Sequence, residues 1–87
     1  MQEQLWPSRE ESAARNLRRA IAEARGDFVV EWIELGAEGY FVLFRRGSLV
    51  HREPGIRIAA LEEGHPDEMR RLILRVKTIF DRQWRPT

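Results

Sequence analysis

Eighty-seven residues with 43% hydrophobic and 33% charged side chains describe one globular domain rather than a disordered chain. The absence of cysteine excludes a disulfide framework, a thiolate nucleophile and a cysteine-ligated zinc. A formal net charge of +1 argues against strong non-specific nucleic-acid binding, which is driven by neutralising phosphates.

The opening residues, Met1 to Pro7, contain neither a basic stretch nor an apolar run, so no signal peptide is expected. No apolar run reaches the roughly 20 residues of a membrane span. The expectation is a cytoplasmic chain.

A first helix is predicted over 8–25. Ser8 and Glu11 have the spacing of a capping box, and Ala13, Ala14, Leu17, Ala20, Ile21 and Ala24 recur on one face. Gly26 then supplies a residue able to take the left-handed conformation that ends helices. The β-branched and aromatic run at 27–35 predicts a strand. Gly36 to Gly39 reads as a turn, and 40–46 as a second strand. Arg46-Gly47 opens another tight turn into a third strand at 48–52. Pro54-Gly55 interrupts the pattern, and the role of Ile56 and Ile58 stays open between a sheet extension and a loop. Pro66, Asp67 and Glu68 suit the start of a last helix at 66–84. Met69, Leu72, Ile73, Val76, Ile79, Phe80 and Trp84 form its apolar stripe.

The predicted fold class is therefore α+β, in the order α-β-β-β-α. A three-stranded antiparallel meander is flanked by two helices in a single domain over 1–87. Strict alternation places Phe28, Val30 and Trp32 on one face of the first strand, and Val29, Ile33 and Leu35 on the other. In the second strand Tyr40, Val42 and Phe44 share a face, opposite Phe41 and Leu43. Neither face is polar, so each needs cover. One helix on each face meets this need. So do both helices on one face with a second molecule on the other, and the latter is the expected arrangement.

Chemistry is sparse. The hydroxyls of Ser8 and Ser48 are accounted for by a cap and a turn, and no activated nucleophile stands out. His51 and His65 lack metal-ligand spacing. No catalytic residue, metal or cofactor is expected. An enzyme built around His51, Tyr40 or Glu53 in a dimer cleft is a third reading.

The leading expectation is a non-enzymatic interaction module that binds protein and forms a homodimer. Trp6, Trp84, Trp32 and Phe44 are its candidate contact residues, since tryptophan is enriched at binding hot spots. The alternative is nucleic-acid binding. Fourteen of the fifteen basic side chains are arginine, and residues 45–87 carry most of them. At helical spacing Arg71, Arg75 and Arg82 align opposite the apolar stripe, with Arg85 beside them and Arg45 and Arg46 at the turn. Such a row is able to track phosphates.

The order of elements resembles that of the double-stranded RNA-binding domain. That family carries basic residues at the start of its last helix, where this chain has the acidic Pro66-Asp67-Glu68. Gly39 to Phe44 is faintly similar to the aromatic strand of RNA-recognition motifs, without its leading basic residue and without the βαββαβ order.

Overall fold

The computed structural model describes residues 8–83, so Trp6, Trp84 and Arg85 lie outside the described residues. The chain is an α+β fold in which α1 (Ser8–Glu23) precedes the strands β1 (Val29–Gly36), β2 (Gly39–Arg46) and β3 (Leu49–Ile56). Two helices follow, the short α2 (Ile58–Glu62) and the long α3 (Pro66–Gln83). None of the described helices is long and apolar enough to cross a membrane.

The end of α1 departs from the expectation in an instructive way. Gly26 N–H donates to Ile21 O at 2.8 Å and Arg25 N–H to Ala22 O at 3.1 Å, the paired bonds of a Schellman motif. The left-handed residue is therefore Arg25, with φ 56°, and not Gly26. Gly26 serves close packing instead. A Cβ there would stand 3.0 Å from the Phe28 ring and 3.1 Å from Ile21, where the chain folds back onto the helix.

The strands form one antiparallel sheet in the order β1-β2-β3. Gly36 pairs with Gly39 across a two-residue turn, and Arg46 with Leu49 across another. Gly39 takes φ 120°, and an added Cβ would lie 2.4 Å from Ile56 O, so only glycine fits there.

β1 carries a bulge. Val30 pairs with Phe44 and Trp32 with Leu43, leaving Glu31 as the extra residue. The bulge resets the alternation. Val30, Ile33 and Leu35 lie on the core side with Phe28, whereas Val29 and Trp32 lie on the other. The expected grouping of Trp32 with Phe28 and Val30 is thus corrected. β3 also runs beyond the expected Arg52. It passes through a second irregularity at Pro54-Gly55 and ends with Ile56 opposite Tyr40. Ile56 extends the sheet, and Ile58 starts α2.

All the described helices pack on one face of the sheet, so a single core forms. Tyr40, Val42 and Phe44 of β2 are fully buried there against Leu17, Leu61, Ile73, Val76 and Phe80. Phe28 meets Phe44 edge-on at 5.7 Å and Phe80 at 5.4 Å. Arg46 closes this end, its guanidinium 5.3 Å from the Phe80 ring centre and bonded to both Asp27 and Asp81.

At the opposite end α2 is fixed by polar contacts. Asn16 Nδ2 donates to Leu61 O at 2.7 Å. Glu62 Oε2 accepts from the Tyr40 hydroxyl and from Arg9 Nε, each at 2.7 Å. These bonds, Arg9 first and Tyr40 second, hold the Glu62 carboxyl below its usual range. Burial, then the bond to Glu62, pushes the Tyr40 phenol up.

Two outcomes follow from this geometry. Arg25→Gly relieves a left-handed arginine and should raise stability by about 1 kcal/mol, read as a higher urea midpoint with unchanged slope. Glu62 binds its proton at lower pH in the folded chain than in the unfolded one. Its contribution is complete above about pH 5 and is lost as pH falls through the folded pKa. Glu62→Gln should therefore lower stability at pH 7 and reduce its decline between about pH 5 and pH 3, measured by urea denaturation at each pH.

Candidate functional site: the open face of the sheet

Packing every described helix on one side leaves the other side of the sheet without a covering helix or strand among the described residues. The register sets out that side in cross-strand rows. Val29, Arg45 and Val50 form one row, and Trp32, Leu43 and Arg52 the next. Glu34 opposite Phe41 begins a third. Val29 is 59% exposed, Trp32 39% and Val50 37%, whereas Phe41 and Leu43 are half-buried. Five apolar side chains from three strands thus share one surface.

Its charges are few and balanced. Glu31, the bulge residue, is bound by both Arg45 Nε and Arg45 Nη2, the latter at 3.0 Å. The bond from Arg45 holds the Glu31 carboxyl below its usual range and pushes the arginine up. Glu34 accepts from Trp32 Nε1 at 3.1 Å, which holds the indole along the strand. Two arginines and two glutamates leave the face without net charge.

Of the residues expected to meet a partner, Trp32 lies on this surface. Phe44 does not. It is fully buried in the core, on the opposite side of β2, and its role is corrected to one of packing. The residues of its strand that do face this surface, Phe41 and Leu43, are the ones that alternation sets opposite Phe44.

The expected arginine row is broken up. Arg45 is bound to Glu31, Arg46 to Asp27 and Asp81, and Arg75 to Glu53 at 2.5 Å. Arg71 and Arg82 are exposed on α3. His51 and Glu53 do come together, with Nε2 and Oε1 2.7 Å apart, and the His51 ring stands edge-on to Phe80. Tyr40 instead directs its hydroxyl to Glu62. His65 precedes α3, its carbonyl accepting from Met69 N–H at 2.9 Å. Among the described residues no group of three or more His, Cys, Asp or Glu is placed to hold a metal ion.

Compared with known proteins, the chain matches no family model, no curated sequence and no solved structure.

The two aromatic residues separate by their thermodynamics. Phe44→Ala opens a cavity in the core and should cost about 3–5 kcal/mol. Trp32→Ala removes a partly exposed ring and should cost about 1 kcal/mol in the monomer. Urea denaturation at submicromolar protein concentration measures both.

Proposed function

We propose that this chain is a non-enzymatic interaction module that acts by binding protein, and that the occupant of its open sheet face is a second copy of itself. The observation that carries this reading is the exposure of Val29, Trp32 and Val50, from two adjacent rows, on the side of the sheet away from the helices. Contiguous apolar patches are uncommon on monomeric proteins and mark interaction surfaces.

The face's own composition favours self-association. A two-fold dimer sets the same surface against itself, so that surface needs both signs of charge in balance. Glu31 and Glu34 against Arg45 and Arg52 meet that requirement, whereas a face made for a polyanion would be basic. Apolar side chains dominate its middle, with Leu43 flanked by Trp32 on the neighbouring strand.

Its size sets the strength. Three strands of eight residues present a surface about 14 Å by 26 Å. Two such faces bury about 730 Å², below the roughly 1,200 Å² at which stable specific interfaces begin, so a dimer formed on this face is a weak and transient one. The reading includes a cytoplasmic location, in keeping with a cysteine-free composition. Nucleic-acid binding along α3 has less support, because the carboxylates of Glu53 and Asp81 interrupt the arginine row and leave no continuous positive strip among the described residues for a run of phosphates.

Sedimentation over a concentration series tests the reading. The unaltered chain should pass from monomer to dimer between about 10 and 500 μM, and Leu43→Lys should remain monomeric while keeping its circular-dichroism spectrum. A chain still monomeric at about 2 mM would defeat the proposal.

A further inference from the structure

On the helix side of the sheet, a cleft of about 310 Å³ runs between the end of β3, the start of α2 and α3. Its floor is apolar, made by Ala60, Leu61, Met69 and Leu72, all buried. Three arginines line it: Arg57 at the head of α2, and Arg71 and Arg75 one helical turn apart on α3. We propose that this cleft binds a small amphiphilic anion, with an oxyanion head held by Arg71 between Arg57 and Arg75 and an apolar tail lying on the floor.

Two of the guanidiniums are fixed before any ligand arrives. Arg57 Nε donates to Glu68 Oε2 at 2.9 Å, and its Nη2 donates to Glu68 Oε1. Arg75 Nη2 donates to Glu53 Oε2 at 2.5 Å, and the other oxygen of Glu53 is held by His51. In each pair the carboxylate is the deeper member. Both arginine side chains are 54% exposed, against 14% for Glu53 and 32% for Glu68. The carboxylates therefore occupy the walls and the guanidiniums face the mouth. A guanidinium has five N–H donors. The bonds to Glu68 and Glu53 engage only part of each set.

Arg71 completes the arrangement. It is exposed, lies three residues after Glu68 on α3, and acts electrostatically on that carboxylate. Three arginines against two glutamates leave the cleft one net positive charge. One anionic head satisfies that charge, whereas a run of phosphates would meet the two carboxylates. Guanidiniums already tied to the walls lose less side-chain freedom on binding. Gly55 lies at the rim with φ 65°, and the space beside its Cα is open, since an added Cβ there would meet nothing within 4 Å.

Titration of the whole chain with hexanoate, hexyl phosphate, acetate and chloride at constant ionic strength, followed by NMR of the arginine Nε–H groups and the Gly55 amide, tests the site. Hexanoate and hexyl phosphate should give saturable shifts at Arg57, Arg71, Arg75 and Gly55, and the tighter of the two identifies the preferred head. Hexanoate should bind about tenfold more tightly than acetate. Arg71→Ala should weaken binding by about tenfold or more, and Arg15→Ala, on the exposed surface of α1, should leave it unchanged. Shifts no different from those with chloride, equal affinity for acetate and hexanoate, or retention of binding in Arg71→Ala would each overturn the proposal. Because Arg71 is exposed, its replacement leaves the core intact, and the one-dimensional spectrum verifies this in the same sample.

Discussion

One extra residue in β1 decides which surface this protein presents. Residues on a strand alternate between faces with a period of two, so inserting one residue transfers everything beyond it to the other side. Glu31 is that residue. Phe28 and Val30, before it, pack on the core side. So do Ile33 and Leu35, beyond it, although their parity is opposite. Without the bulge, Trp32 would stand over Tyr40 and Phe44 where the helices already pack, and Ile33 would face outwards. Arg45 binds the displaced carboxylate from the neighbouring strand. The charge exposed by the bulge is thereby neutralised within the sheet, and the apolar residues around it form one surface.

Legibility in the sequence followed the strength of the periodic signal. The two long helices and the three strands were readable because α3 repeats an apolar stripe over 18 residues and the turns carry glycine where the chain must reverse. The apolar character of both faces was also readable, from β2 alone, since Tyr40 to Phe44 contains no polar side chain except the Tyr40 hydroxyl. The bulge was not. A bulge depends on how two strands pair, and no residue type in Val29-Val30-Glu31-Trp32 announces it. Phe44 was assigned to the surface for a related reason: parity within a strand says which residues share a face and not which face the helices take.

The polar half of the architecture was hidden for a different reason. Arg9, Tyr40 and Glu62 meet from α1, β2 and α2. Arg57 and Glu68, like Glu53 and Arg75, join residues well separated in the chain. A helical wheel treats α3 as an isolated cylinder and therefore aligns Arg71, Arg75 and Arg82 as equals. The fold distinguishes them. β3 brings Glu53 to Arg75, the chain entering α2 brings Arg57 to Glu68, and Arg82 lies beyond both. Such ion pairs contribute little individually to stability. Their consequence is positional, since they fix where a guanidinium stands and which of its donors remain turned to solvent. The five-residue α2 was equally unreadable, because it is too short for periodicity to reveal and is held by Asn16 and Glu62 rather than by its own propensity.

β3 is where the two candidate surfaces meet. Val50 and Arg52 belong to the open face, while His51 and Glu53 turn inwards to Phe80 and Arg75. Successive residues of one strand thus serve opposite sides of the sheet. The irregularity at Pro54-Gly55 ends this alternation, and Ile56 resumes pairing with Tyr40 before the chain turns into α2. A partner seated on the open face would therefore leave the Arg57, Arg71 and Arg75 cleft open on the far side. The two occupants need not compete. They would also differ in what holds them: the first answers to apolar area with balanced charge, the second to one uncompensated positive charge over an apolar floor. Salt separates these cases, because screening weakens contacts between exposed charges far more than apolar burial.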